Sequence, residues 1–188
     1  PLYRDENGVT IIARSYAVTG DEWPFNGEVY KIVSEEELRQ MVNQGSDISR
    51  VVVSKVTNMS GLFADKELFN SDLSTWDTSN VVDFSEMFQN AVRFNSDLSK
   101  WNVEAAIDMS SMFAGAIAFN QDISAWNVSG VQDMSFMFDG AKLFSQDLGM
   151  WNTSSVTTME RMFNEAEAFN SDLSNWGVSK VTSFRQLF

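Results

Sequence analysis

The nine residues Phe94–Asn102, FNSDLSKWN, decide how the rest of the chain is read. The same spelling returns as FNSDLSTWD from Phe69, FNQDISAWN from Phe119, FSQDLGMWN from Phe144 and FNSDLSNWG from Phe169. Each copy starts 25 residues after the one before it, with no insertion or deletion. A fixed period of this length marks an architecture in which each unit cannot bury its apolar face alone and does so against its neighbours.

Working outward from that stretch, whole columns hold register. Trp76, Trp101, Trp126, Trp151 and Trp176 form one, and Phe69, Phe94, Phe119, Phe144 and Phe169 form another seven residues earlier. Behind them run Met87, Met112, Met137, Met162 and Leu187, then Phe88, Phe113, Phe138, Phe163 and Phe188. In LSKWNV the spacing Leu98, Trp101, Val103 predicts a strand of about three to five residues, with Trp101 and Val103 inward and Asn102 outward. Met109, Met112, Phe113 and Ala116 then change to helical spacing. Asn58, Asp83, Asp108, Asp133, Thr158 and Ser183 stand where an N-cap is needed. Asn90, Gly115 and Gly140 suit a left-handed C-cap, and Glu165 breaks that column, which predicts a different end for its helix.

Stacked at the ~4.8 Å spacing of neighbouring strands, such units predict an α/β fold. It is a right-handed, leucine-rich-repeat-like solenoid, with a narrow parallel sheet on one side, short helices on the other and an N-terminal cap. Residues 1–46 read as that cap, a strand pair plus a capping helix, and residues 47–188 as the repeat. NGVTIIAR and GEVYKIV read as short strands around a turn region at Gly20, Pro24 and Gly27. VSEEELRQMVNQG reads as a helix with Ser34 as N-cap, Glu37 completing a capping box, Leu38, Met41 and Val42 buried and Gly45 as the stop. SDISRVVVSKV sets Asp47, Ile48, Val51, Val53 and Val56 in the repeat register as a degenerate first coil. The chain stops at FRQLF, within a sixth copy, so the expectation is a truncated C-terminal end or a last coil that stacks end to end on another chain.

Composition narrows the chemistry. With 26 acidic and 13 basic residues the net charge is −13, which disfavours nucleic-acid backbones and anionic membranes. The chain has no Cys and no His, which removes disulfides, thiol nucleophiles, imidazole bases and the usual zinc ligands. No apolar run approaches the ~20 residues of a membrane span. Pro1 opens the chain with no leader ahead of it, so a signal peptide is either absent or already removed.

The pattern FNxDLSxWNVSxVxDMSxMFxGA, from about Asp47 to Phe188, resembles the repeats of BspA-like leucine-rich-repeat surface proteins. The resemblance implies a surface-exposed, secreted or lipid-anchored protein that serves adhesion or protein contact at the cell surface. It brings no catalytic residues and no cofactor.

Several columns invite a site. The Trp column would suit stacking against sugars, and the Met and Phe columns an adaptable apolar contact, but a repeated apolar residue in register is first of all core. Asp72, Asp97, Asp122, Asp147 and Asp172 are like charges placed close together. Either they accept backbone N–H groups in a turn, or Ca²⁺ bridges them; the one fixed Asp per unit favours the turn. Asn70, Asn95, Asn120 and Asn170 predict an amide ladder between coils, with Ser145 the exception.

Core rules leave the outward strand positions free, and their middle column stays Asn or Asp for four units. The candidate ligand-binding residues are therefore Asp77, Lys100, Asn102, Glu104, Asn127 and Asn152, with no metal site. The plain alternative is that short polar residues solvate an exposed sheet. The partner expected is a host or neighbouring-cell surface protein or glycan. A structural spacer of a larger cell-surface protein is the second reading. An enzyme is disfavoured, because the acidic ladder offers no pair of carboxylates in distinct environments. Regular outward Thr rows, which ice binding would want, are missing.

Overall fold

The computed structural model describes residues 1–188. All regular elements lie in the first 52 residues: β1 Leu2–Arg4, β2 Ile11–Ala13, β3 Glu22–Phe25, β4 Glu28–Ile32, α1 Glu35–Asn43 and β5 Val51–Val52. β1 and β2 pair antiparallel, while β3 and β4 form a second hairpin that β5 extends in parallel through Lys31↔Val51 and Ile32↔Val52. The N-terminal region thus holds two hairpins, where the sequence reading placed one strand pair. Pro24 lies inside β3, at the edge of its sheet, where a missing N–H leaves no ladder bond unmade. The turn joining β3 to β4 is Asn26-Gly27, with φ of 52° and 86°, the left-handed pair that a two-residue hairpin demands.

Helix α1 follows its sequence signals closely. The Ser34 hydroxyl accepts the Glu37 N–H at 3.2 Å, Leu38 and Val42 are buried, and Gly45 takes φ 68° just beyond the end. The Glu37 carboxylate pairs with Lys31 of β4 and makes no bond to the Ser34 N–H, so a tie between helix and sheet replaces the capping box expected from the sequence.

From Val53 onward the chain makes neither helix nor extended strand. Successive units are joined by single parallel bridges between equivalent residues, Asn58↔Asp83↔Asp108↔Asp133↔Thr158↔Ser183. The bridge therefore falls at the positions read as N-caps, and the stretch Leu98–Val103 read as a strand is a turn followed by irregular chain. The capping chemistry survives without its helix: Oδ1 of Asp83, Asp108 and Asp133 accepts the N–H two residues on, from Ser85, Ser110 and Ser135.

The segment Met109–Gly115 explains why a helix is not formed. Alternate N–H groups point out of the unit: Met109, Ser111, Phe113 and Gly115 donate to the carbonyls of Asp133, Ser135, Met137 and Asp139 in the next coil. The residues between them close tight turns, Met112 N–H to Met109 C=O and Ala114 N–H to Ser111 C=O. Two left-handed residues per coil permit this path, as type II turns require. One column is Gly61, Glu86, Ser111, Phe136, Arg161 and Gln186, the other Asp65, Asn90, Gly115, Gly140 and Glu165. Glu165, with φ 56°, keeps the conformation of its column rather than ending the segment differently.

The interior is a set of aromatic ladders. Phe63, Phe88, Phe113, Phe138, Phe163 and Phe188 stack with ring centroids 5.5–5.8 Å apart. A second column, Phe69 to Phe169, runs at 5.8–5.9 Å, and the two columns stack on each other at 3.9–4.1 Å. These centroid distances lie within the ~4.5–7 Å range favoured by aromatic pairs. A buried Phe contributes about 1.5–3 kcal/mol by transfer and a typical hydrogen bond about 0.5–1.5 kcal/mol net, so ring packing outweighs any one inter-coil bond.

Candidate ligand-binding groove

The outward column is first a turn device. Oδ1 of Asn102, Asn127 and Asn152 accepts the N–H of Glu104, Ser129 and Ser154, at 3.0, 3.2 and 3.1 Å. That leaves each amide NH₂ without a protein partner, on side chains exposed to solvent. Lys100 and Glu104 are exposed beside them.

Asp77, the first member of the column, differs from the sequence expectation of an outward residue. It is only 3% exposed. Its Oδ1 accepts the Ser79 hydroxyl at 2.6 Å and the Ser79 N–H at 3.2 Å, while Oδ2 is buried without a donor. The β1–β2 hairpin lies alongside this part of the repeat, since the Ile11 N–H donates to the Thr75 carbonyl at 2.9 Å. Ala13 N–H to Ser54 Oγ and Lys55 Nζ to Ser15 C=O fasten the rest of the hairpin to the first coil.

Between hairpin and coils runs a groove of about 310 Å³. Asp5, Asn7, Thr10 and Ile12 line one wall, and Asp77, Lys100, Asn102 and Asn127 line the other. Four of the six predicted residues thus converge on one place, while Glu104 and Asn152 lie outside it. The hairpin wall was missed by sequence reasoning, which found little sign of function before residue 50. Its signal was Asn7-Gly8, a turn pair between short apolar runs: Asn7 Oδ1 accepts the N–H groups of Val9 and Thr10 and shapes the rim.

Other columns turn inward. Trp76, Trp101, Trp126, Trp151 and Trp176 are buried, and the last four donate Nε1–H to the carbonyls of Leu73, Leu98, Ile123 and Leu148 in the preceding coil. No indole face of this column is presented to a sugar. The amide ladder runs from Asn70, which accepts the Asn95 N–H, through Asn95 from Asn120 to Asn120 from Ser145, and it ends there: Asn170, expected in the ladder, takes no part in it.

Every member of the Asp ladder accepts the N–H two residues later: Asp72 from Ser74, Asp97 from Ser99, Asp122 from Ser124, Asp147 from Gly149 and Asp172 from Ser174. Hydrogen bonds from the Ser124 hydroxyl and N–H hold Asp122 below the usual carboxylate range. The Gly149 N–H and the Ser171 hydroxyl do the same for Asp147, as Ser174 does for Asp172. No three carboxylates converge where a metal ion would sit. A larger cleft of about 940 Å³, between the end of α1 and the first coil, holds none of the six predicted residues.

Comparison with protein-family models gives two overlapping matches, residues 34–142 and 122–188, to the family described as "Mycoplasma protein of unknown function, DUF285". The chain belongs to this family. The matches together run from Ser34 to the last residue, and their overlap at 122–142 reflects the repetition of the unit. DUF285 is thus, in this member, a family of repeat proteins, and the match starts at the N-cap of α1, after the hairpin that builds the groove wall. Neither the curated proteins nor the solved structures contain a match to the chain.

Proposed function

We propose that this chain is a non-catalytic, surface-exposed binding module of the BspA-like kind, a right-handed repeat solenoid that holds a protein or glycan partner against its outward polar column. The observation that carries the reading is the groove, where Asp77, Lys100, Asn102 and Asn127 meet Asp5 and Asn7 across about 310 Å³. Repeated columns elsewhere are occupied in folding: Phe, Met and Trp in the core, Asp and Asn in turns and inter-coil bonds. The outward amides keep free donors on an exposed, extended face, which suits recognition of a polymer. An extracellular or cell-surface location follows from the family resemblance and belongs to the proposal.

The test changes only those donors. N102S/N127S/N152S keeps an oxygen acceptor at each turn and removes each NH₂ without adding charge. Adhesion of the wild-type protein to a panel of immobilised extracellular proteins and glycans is expected to fall at least tenfold in this variant, with the circular dichroism spectrum unchanged. Equal adhesion would sink the polar-column reading. An absence of any hit for the wild type at high concentration would favour the spacer reading, which the use of nearly every column for folding supports.

A further inference from the structure

We infer that the groove accepts a cationic side chain of a partner polypeptide, a lysine ammonium or an arginine guanidinium, with Asp77 as its counter-charge and Asn102 and Asn127 binding the adjoining peptide. The inference rests on the polar-column reading and narrows it to one ligand class. A carboxylate that is almost fully buried with one oxygen undonated is costly unless a positive charge or further donors compensate it. The fold has the means to avoid that cost, since the three following coils place a neutral Asn at the same turn. Ser79 satisfies only Oδ1, and Asp77 makes no ion pair with Lys100, although both line the groove.

Charge complementarity selects the occupant. Asp5 adds a second carboxylate across the groove, and the chain as a whole carries −13. A neutral glycan brings no cation, and the aromatic faces it would stack on are buried here. A polypeptide offers both the cation and backbone amides, which exposed Asn side chains hydrogen-bond through NH₂. Because Oδ2 is covered, the incoming group has to displace part of the wall. The tip of the β1–β2 turn, residues 6–8, is the part of the wall suited to this, being exposed and making no hydrogen bond to the coils.

The experiment is a titration of the ¹⁵N-labelled full chain with three blocked tripeptides, acetyl-Gly-X-Gly-amide, where X is arginine, lysine or the neutral arginine isostere citrulline. The arginine and lysine peptides are expected to shift the side-chain amide signals of Asn102 and Asn127, and the citrulline peptide to leave them in place. D77N should fold normally, because Asn occupies that turn elsewhere, and should weaken cationic-peptide binding at least tenfold. E36Q, at an exposed position of α1, removes the same charge and should leave binding unchanged, which separates the groove from general attraction to an acidic protein. K100M removes the competing internal cation and should tighten binding. The proposal is overturned if D77N binds as well as wild type, if citrulline binds equally, or if Lys100 proves to be the counter-charge, seen as K100M destabilising the fold with no peptide binding. Loss of adhesion in N102S/N127S/N152S together with full adhesion of D77N would remove the cation inference and leave the module reading standing.

Discussion

At the scale of single residues, the Trp column shows how one side chain serves two demands. Trp126 is buried in the core and its Nε1–H satisfies the Leu98 carbonyl at 3.1 Å. Trp126→Phe keeps most of the apolar area and leaves the Leu98 carbonyl with the Trp101 N–H alone, so a loss of about 0.5–1.5 kcal/mol is expected, read by urea denaturation at constant m-value. A loss below a few tenths of a kcal/mol would show the indole bond to be dispensable. The turn carboxylates set a pH limit. Asp47, Asp122, Asp147 and Asp172 all titrate below their ordinary value of 3.8 in the folded chain, because each accepts hydrogen bonds as the anion. A depressed folded pKa adds stability that is present above the unfolded value and lost as pH falls through the folded one. Thermal midpoints should therefore be steady from about pH 7 to pH 5 and drop below about pH 4; a midpoint unchanged down to pH 2.5 would contradict the role given to these turns.

At the scale of elements, the first coil has an edge that the others lack. Carbonyls at Asp83 and Ser85 accept N–H groups from the coil before, but Asn58 and Ser60, their equivalents, have no such coil. Arg39 of α1 takes its place, donating to the Ser60 carbonyl at 2.7 Å and to the Asn58 carbonyl and Oδ1 at 3.3 and 2.9 Å. Arg39→Met retains most of the packing and loses the fork, and should cost about 1.5–3 kcal/mol by denaturant melts, with Arg39→Lys recovering only part. This scale is also where the sequence was least legible. Helix α1 was readable in its bounds because Ser34 and Gly45 each bear a local signal, although Glu37 pairs with Lys31 and does not close a capping box. The coil interior was not, because its left-handed positions carry Glu86, Ser111, Phe136 and Arg161, residues that do not advertise positive φ. Apolar residues at i, i+3 and i+4 fit a helix and this chain of turns equally well, so periodicity alone could not separate them. Inter-coil packing and hydrogen bonds decided the outcome.

For the whole molecule, the columns and the buried set were plain from register, since a 25-residue period with no slip forces equivalent residues into contact. The groove was half legible. Its coil wall belonged to the outward column, but its hairpin wall is brought there by tertiary docking of residues far away in the chain, which no local pattern encodes. Carboxylates spaced through the whole stack raise the question of calcium. Each ladder Asp accepts its own turn N–H, so the stack should hold together without an ion. Melting with EDTA and with millimolar Ca²⁺ is expected to give the same midpoint within a degree, and a rise of several degrees with Ca²⁺ would restore the bridging reading.

The direction of the hydrogen bonds between coils has a further consequence. Along Met59–Asp65, Phe84–Asn90 and Met109–Gly115, N–H groups point to the next coil and carbonyls to the previous one, while Val82, Ile107 and Gln132 donate back to Thr57, Val82 and Ile107, so each face of a unit carries its own fixed pattern of donors and acceptors. A unit can join the stack in one orientation only, and excising or inserting 25 residues restores both faces. The groove, fixed to one hairpin, would stay where it is while the far end moved by one constant step. Such a chain can change its length in whole units without redesign of the groove.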